Sequence, residues 1–201
     1  MQIMQWKLGM NLSLWFNFLR RIRKPMGSLK TFPPPTVRYS WKELIWIIIL
    51  TMRIIFLDID GVLIKYTTGK SKELPKEFDQ ELADNLKHLL SVTDARIVIS
   101  SSWRHHLQTC KEAFIKADLD WNRVISVTKY DTNGWRSTEI LQWLDNYHKT
   151  CKNWYHITHW CTIDDEYYEM KALRRLGKLV KTDVQEGLTM DKVLEAIYLL
   201  T

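Results

Sequence analysis

The chain has few cysteines and no apolar run long enough to cross a membrane. Its 201 residues include three cysteines, an odd number without Cys-x-x-Cys spacing, so neither a disulfide framework nor a zinc ribbon is indicated. The apolar stretches 12–19 and 44–50 are well short of the roughly 20 residues that span a bilayer. We therefore expect no transmembrane segment, and the cysteine usage favours a reducing, cytoplasmic setting.

Acidic residues are missing from the first 42 positions. These positions hold eight of the 29 basic residues, which leaves 21 basic against all 23 acidic residues for the rest of the chain. The body of the protein is therefore not a basic block. Only the amino-terminal part has the charge to attach broadly to nucleic acid or to another acidic surface.

The amino-terminal part differs in composition from the rest. It is rich in Trp, Phe and Arg, contains a run of three prolines at 33–35 and shows no clear periodicity. We interpret residues 1–51 as a basic and apolar leader, either disordered or an over-extended start. A transit peptide or a membrane-surface helix is the alternative. Residues 52–201 are predicted to form one domain.

From residue 53 onward, short apolar runs alternate with amphipathic stretches. This alternation predicts an α/β fold, a three-layer Rossmann-like parallel sheet with flanking helices. One helical face is predicted to carry Leu82, Leu86 and Leu89, and another Ile140, Leu141 and Leu144. A last helix is predicted with Thr189 as its N-cap and an apolar face at 193, 196, 197 and 200. The predicted strands are Arg53 to Leu57, Ala95 to Ile99, Trp160 to Ile163 and Lys178 to Lys181.

Polar residues follow the first predicted strand, where ligands collect in parallel sheets. Asp58 and Asp60 stand two residues apart, and Gly61 lets the backbone turn sharply away. Alternation along an extended chain would place both carboxylates on one side. One carboxylate is suited to attack phosphorus, and the other to protonate the leaving oxygen and activate water. Two anions so close need a cation, and Mg²⁺ held by carboxylates and a backbone carbonyl would supply it.

The segment 58–63, Asp-Ile-Asp-Gly-Val-Leu, resembles the DxDGxx signature of the haloacid dehalogenase superfamily. The resemblance implies that Asp58 and Asp60 are catalytic and bind the metal. It also implies that a serine after the second strand binds the phosphoryl group, for which Ser100 and Ser101 are both candidates. Arg136 corresponds to the basic residue that stabilises charge at the phosphoryl oxygens, although many members have lysine there.

The last motif of the superfamily is a carboxylate pair after an apolar run. Asp164 and Asp165 supply it here, and both are candidate metal ligands by resemblance. Taken alone, a DxDG segment also fits a calcium-type loop or a solvated turn. The order of all four motifs along 53–200 therefore carries the interpretation, which is a Mg²⁺-dependent phosphohydrolase with an aspartyl-phosphate intermediate.

Within the superfamily, the chain is similar to the domains associated with Swiss Army Knife RNA repair proteins. The similarity lies in Ser101-Ser102-Trp103-Arg104, in the segment 136–144 and in Gly187-Leu188-Thr189. Trp103 and Arg104 are predicted to contact substrate, because the helix that opens there should face the phosphate. The alternative places the tryptophan under the loop and the arginine in a surface ion pair.

Spacing between the motifs leaves no room for a cap domain. Asp58 to Ser100 spans 42 residues and Ser101 to Arg136 spans 35, enough only for the helices and strands of the core fold. A capless, open site suits a large substrate, and the similarity to repair proteins favours a phosphorylated nucleic-acid end. A protein or nucleotide phosphatase and a non-catalytic module that binds phosphate ends are the alternatives.

Overall fold

A computed structural model describes residues 51–66, 77–130, 134–150 and 156–201 of the chain. Five parallel strands form one sheet in the order β3-β2-β1-β4-β5. The sheet therefore has the chain's first described strand at its centre. The strands are β1 (Thr51–Leu57), β2 (Arg96–Ile99), β3 (Val124–Val127), β4 (His156–Asp164) and β5 (Leu179–Lys181).

Helices follow the strands and cover both faces of the sheet. Their bounds are α1 (Gln80–Thr93), α2 (Leu107–Lys116), α3 (Arg136–Thr150), α4 (Lys171–Arg175) and α5 (Met190–Leu200), and short 3₁₀ helices occupy Ser102–His106 and Trp121–Arg123. Asp79 caps α1, its carboxylate accepting hydrogen bonds from the first-turn N–H groups of Glu81 and Leu82.

Alternate residues of β1 enter two separate cores. Ile55 and Leu57 pack with residues of α1, α2 and α5, whereas Ile54 and Phe56 pack with residues of α3 and α4. The sheet is thus buried on both faces, as a parallel sheet with crossover helices requires. This is the predicted three-layer α/β architecture.

The four predicted strands are all present, with small differences at their ends. β4 is longer than predicted and begins at His156. β3 was not assigned from the sequence. Its four residues, Val-Ile-Ser-Val, lie at the edge of the sheet, and none of them is fully buried. Because an edge strand needs no continuous apolar run, the sequence does not mark it as it marks the other strands.

The predicted helical faces are largely correct. Leu82, Leu86 and Leu89 are buried on α1, and Thr189 stands at the N-cap of α5, although its side chain makes no capping hydrogen bond. The prediction for Leu141 was wrong, because this side chain is 37% exposed while Ile140 and Leu144 are buried. One residue corresponds to a rotation of about 100° around a helix, which carries position 141 to the margin of the apolar face.

The predicted leader lies outside the described residues except for Thr51, which begins β1. Within the described ranges, the segments that follow β1 and β2 contain elements of the core fold and no additional cap domain. None of the helices in these ranges combines the length and apolar character that crossing a membrane requires.

Candidate active site

The carboxyl ends of the strands meet at one edge of the sheet. The N–H of Asp58 donates to Ile163 O at 3.0 Å, and the N–H of Ser100 donates to Leu57 O at 2.9 Å. These bonds continue the strand ladders by one residue beyond β1 and β2. The polar residues that follow the strands are therefore held side by side on ordered backbone.

Arg136 joins two carboxylates from different strands. Its Nη1 lies 2.6 Å from Asp58 Oδ2 and 2.7 Å from Asp164 Oδ2. Asp58 is 3% exposed and Asp164 is fully buried. The second oxygen of Asp58 accepts the N–H of Ile59, and that of Asp164 accepts the N–H of Glu166, each at 2.8 Å. Both carboxylates are thus fixed in orientation by backbone as well as by the guanidinium.

Three carboxylates form a group that could hold a metal ion. Oxygens of Asp58, Asp164 and Asp165 all lie within 4.8 Å of one another. Hard oxygen donors from closely spaced carboxylates are the ligands that Mg²⁺ takes in proteins, so this set fits the predicted cation. The side chain of Asp60, also predicted as a ligand, does not belong to this group.

The electrostatics of the group reflect its crowding. Burial, and after it the charge of Asp58, raises the pKa of Asp164 against the opposing effect of Arg136. The same two causes raise the pKa of Asp165 to about 6. Burial alone would lower the pKa of Arg136, but Asp58 and Asp164 outweigh it and raise that pKa. One arginine does not neutralise three carboxylates, and a divalent cation would complete the charge balance.

Gly61 makes room for Asp165. The backbone of Gly61 has φ +69°, and a Cβ built on it would lie 2.5 Å from Asp165 Cγ. Its carbonyl oxygen accepts a hydrogen bond from the buried Thr182 hydroxyl at 2.9 Å. The glycine is therefore required both for the turn after β1 and for the position of a carboxylate 104 residues later in the chain.

Asp60 lies outside this carboxylate group and has a different hydrogen-bond partner. β1 ends at Leu57, so Asp58 and Asp60 both lie in the turn that follows the strand. Asp60 Oδ2 accepts a hydrogen bond from Trp103 Nε1 at 3.1 Å. Burial and then the charge of Asp58 raise the pKa of Asp60, and the bond from Trp103 acts in the opposite direction. A carboxyl group with a raised pKa is suited to donate a proton.

Trp103 was predicted to contact substrate, and the structure places it elsewhere. The side chain is fully buried in the core formed with α1 and α2, and its ring centroid lies 6.1 Å from that of Phe78. Only its N–H reaches the site, through Asp60. This placement supports a positioning role instead of the predicted substrate contact, because no surface of the ring is available to a ligand.

Arg104 is also turned inward, contrary to the predicted substrate contact. It forms a two-bond ion pair with Glu139, with Nη1 to Oε2 at 2.6 Å and Nη2 to Oε1 at 3.3 Å. Its Nη1 also donates to Thr128 Oγ1 at 2.6 Å. The pair is nearly inaccessible, with 8% and 3% of the two side chains exposed. Arg104 therefore connects the loop after β2 to the end of β3 and to the first turn of α3, which carries Arg136.

The two serine candidates have different surroundings. Ser101 Oγ accepts the N–H of Trp103 at 3.3 Å and caps the 3₁₀ helix. Ser100 is fully buried, and its hydroxyl has no hydrogen-bond partner in the described part of the chain. A buried hydroxyl without a partner is costly, and a bound phosphoryl oxygen would satisfy it. This difference favours Ser100 as the phosphate ligand.

Glu139 and Thr128 were not assigned a site role from the sequence. Glu139 carried one signal, an acidic residue at i+3 from Arg136 on the predicted helix. Thr128 is distant in sequence from Arg104, and no local pattern indicates their contact.

Comparison with known protein families identifies the family of the α/β domain. A family model described as the HAD domain in Swiss Army Knife RNA repair proteins matches residues 54–193, which is more than half of the chain. A search of curated proteins found no relative. The matched segment begins within β1 and ends within α5, so it contains every site residue described above. The chain therefore belongs to the family of HAD domains found in Swiss Army Knife RNA repair proteins, within the haloacid dehalogenase superfamily.

Proposed function

We propose that the protein is a Mg²⁺-dependent phosphatase in which Asp58 is the nucleophile. The observation that carries this proposal is the position of Asp58, a buried carboxylate held between Arg136 and two further carboxylates at the carboxyl edge of the sheet. Membership of the haloacid dehalogenase superfamily supports a hydrolase activity. A carboxylate nucleophile divides phosphoester hydrolysis into two easier steps.

In the first step, a carboxylate oxygen of Asp58 attacks phosphorus and the bond from phosphorus to the leaving oxygen breaks. The Asp60 carboxyl group gives its proton to that oxygen. In the second step, Asp60 takes a proton from water, the water oxygen attacks phosphorus and the bond to Asp58 breaks. Inorganic phosphate leaves, and both carboxyl groups return to their starting states.

Charge and hydrogen bonds at the phosphoryl group come from the same edge of the sheet. Arg136 faces the developing charge on the phosphoryl oxygens, and the hydroxyl of Ser100 donates to one of them. Asp58, Asp164 and Asp165 are the proposed metal ligands, and a backbone carbonyl oxygen would add to them. Bound there, Mg²⁺ would neutralise the carboxylates and polarise the phosphoryl group.

We propose a phosphorylated nucleic-acid end as the substrate. The description of the family, which names RNA repair proteins, supports this choice. The described residues include no cap over the site, which favours a substrate too large to be enclosed. We also propose a cytoplasmic location, since the described cysteines, Cys110 and Cys161, are buried free thiols.

The test is hydrolysis of p-nitrophenyl phosphate and of a 3′-phosphorylated oligonucleotide, with and without Mg²⁺, by the wild-type protein and by Asp58→Asn. We expect Mg²⁺-dependent release of phosphate that falls by about 10⁴-fold or more in the variant. Asp145→Asn removes an exposed carboxylate from α3 and serves as the control. Activity of Asp58→Asn close to that of the control would refute the assignment.

A further inference from the structure

In the described part of the chain, the exposed tyrosine and tryptophan side chains lie mostly at one edge of the sheet. Six tyrosine and tryptophan side chains of the described residues are classed as exposed, and five of them follow β1, β3 or β4 at the edge of the sheet that carries the site. We call these five the aromatic rim. Its members are Tyr66 (53% exposed), Tyr130 (59%), Trp135 (54%), Tyr167 (41%) and Tyr168 (73%).

The sixth exposed ring, Tyr198, lies near the end of α5. The next-but-one residue, Leu200, accepts a hydrogen bond from Arg53 Nε at 2.8 Å, and Arg53 stands near the start of β1. Tyr198 is therefore at the opposite, amino edge of the sheet. Among the tyrosines and tryptophans that the structure describes, the exposed ones thus concentrate on the site edge.

Members of the rim are next to catalytic candidates in the chain and in space. Trp135 directly precedes Arg136, and its carbonyl oxygen accepts the N–H of Thr138 at 2.7 Å in the first turn of α3. Tyr167 and Tyr168 follow Asp165 closely. Their N–H groups donate to Glu166 Oε1 at 2.9 and 3.0 Å, so this part of the rim is held by hydrogen bonds.

Tyr66 approaches the site from the turn after β1. Its N–H donates to Val184 O at 2.9 Å, in the loop after β5. Partial burial raises the pKa of Tyr66, and the charges of Asp60 and Asp165 add to this effect. The ring is therefore within electrostatic range of the site carboxylates while half of its surface stays in contact with water.

Large rings with about half or more of their surface in water are typical of surfaces that bind a partner. Basic groups stand beside them. The guanidinium of Arg174, which is exposed, lies 4.7 Å from the ring centroid of Tyr167, and the exposed Lys129 directly precedes Tyr130. Aromatic faces with neighbouring cations are the features with which proteins bind single-stranded nucleic acid.

The net charge of the chain after residue 42 argues against the alternative that this part binds nucleic acid mainly through its phosphate backbone. The chain after residue 42 has 21 basic and 23 acidic residues, so it cannot neutralise a long row of phosphates. Stacking on bases needs no such excess, because the faces of unpaired bases are apolar and carry no charge. In a duplex these faces are already stacked on one another and are not available.

We infer that the aromatic rim stacks on unpaired bases beside the terminal phosphate, so that the enzyme acts on single-stranded ends in preference to base-paired ones. This inference rests on the proposed phosphatase function and narrows its substrate.

The experiment compares one 3′-phosphorylated oligonucleotide, as a single strand and as a blunt duplex with its complement, against p-nitrophenyl phosphate. We expect kcat/KM to be roughly tenfold or more higher for the single strand than for the duplex. Trp135→Ala and Tyr168→Ala should each lower the ratio of kcat/KM for the single strand to kcat/KM for the aryl phosphate by about tenfold. Trp135→Phe keeps a ring and should restore most of that ratio.

Tyr198→Ala is the matched control. It should change neither the preference for the single strand over the duplex nor the ratio of kcat/KM for the single strand to that for the aryl phosphate. Far-ultraviolet circular dichroism checks that each variant is folded.

The inference is overturned if duplex and single strand react equally, or if the ratio is unchanged in both alanine variants. Hydrolysis of the aryl phosphate without any reaction of the oligonucleotide also overturns it, while leaving the phosphatase chemistry intact. If neither substrate reacts, the proposed function fails, and fluorescence anisotropy of the labelled single strand decides the inference separately. Binding that weakens in Trp135→Ala supports it, and absence of binding refutes it.

Discussion

Two pairs of carboxylates meet at the carboxyl edge of the sheet, and they are built differently. Asp58 and Asp60 stand two residues apart in the turn after β1, whereas Asp164 and Asp165 are adjacent at the end of β4. In each pair one member is buried and hydrogen-bonded to the same group, since Asp58 and Asp164 both accept from Arg136. Although the two pairs differ in sequence spacing, the more deeply buried carboxylate of each pair is therefore bound in the same way.

The second member of each pair has its own surroundings. Asp60 accepts from the indole N–H of Trp103, whereas Asp165 packs over the backbone of Gly61 in the space that a side chain would fill. We attribute proton transfer to the first and metal binding to the second. The neighbour of each carboxylate, and not its spacing in sequence, therefore determines the role proposed for it.

Among the substitutions that test this division of roles, Asp60→Asn is expected to lower activity the most. It removes the proton donor, so kcat/KM for an oligonucleotide phosphate should fall by about 10²–10⁴-fold. The loss should be smaller for p-nitrophenyl phosphate, whose leaving group departs readily without a proton. Steady-state kinetics with both substrates measure the difference. Equal losses in kcat/KM on the two substrates would argue against Asp60 as the acid.

Gly61→Ala tests the other pair. The added methyl group would displace the Asp165 carboxylate, and the Mg²⁺ concentration for half-maximal activity should rise by roughly 10–100-fold. Gly177→Ala is the matched control, because Gly177 has a similar φ of +64° and no atom within 4 Å of the added Cβ. An unchanged Mg²⁺ requirement in Gly61→Ala, or the same rise in both variants, would contradict the proposed role of Asp165.

Trp103→Phe should have the smallest effect of the three. It keeps an aromatic ring in the core and removes the N–H that orients Asp60, so kcat/KM for the oligonucleotide should fall by about tenfold. The loss should be smaller for the aryl phosphate, as for Asp60→Asn, and the two substitutions should not be additive. Trp143→Phe is the control, because it removes an indole N–H that donates to Ser126 Oγ and not to a site carboxylate. A loss that is equal on both substrates would indicate a purely structural tryptophan.

Much of the fold was predictable because its signals are local. The apolar runs of β1 and β2 mark buried strands, and α1 shows its apolar face through Leu82, Leu86 and Leu89. β3 was missed because an edge strand with Ser126 in its centre and partly exposed valines carries no such run. Leu141 was misplaced because periodicity does not fix the exact margin of a helical face.

The candidate site was predictable where it depends on residue type and order, and not where it depends on distant contacts. Asp58, Asp164 and Asp165 come together because they follow β1 and β4, and the carboxyl ends of neighbouring parallel strands lie side by side at one edge of the sheet. The partners of Trp103 and Arg104 are 43 and 35 residues away in the chain, so local sequence does not indicate which way these side chains turn. Only the folded structure distinguishes a substrate contact from a positioning contact at these two residues.

Identifying the phosphorylated residue tests the central claim most directly. Asp60→Asn is mixed with p-nitrophenyl phosphate and Mg²⁺, quenched in acid after short times, digested and analysed by mass spectrometry. Because this variant lacks the group that activates water, an acyl phosphate should accumulate, and the peptide that contains Asp58 should gain the mass of one phosphoryl group. Phosphate on a different residue, or full activity in Asp58→Asn, would contradict the account.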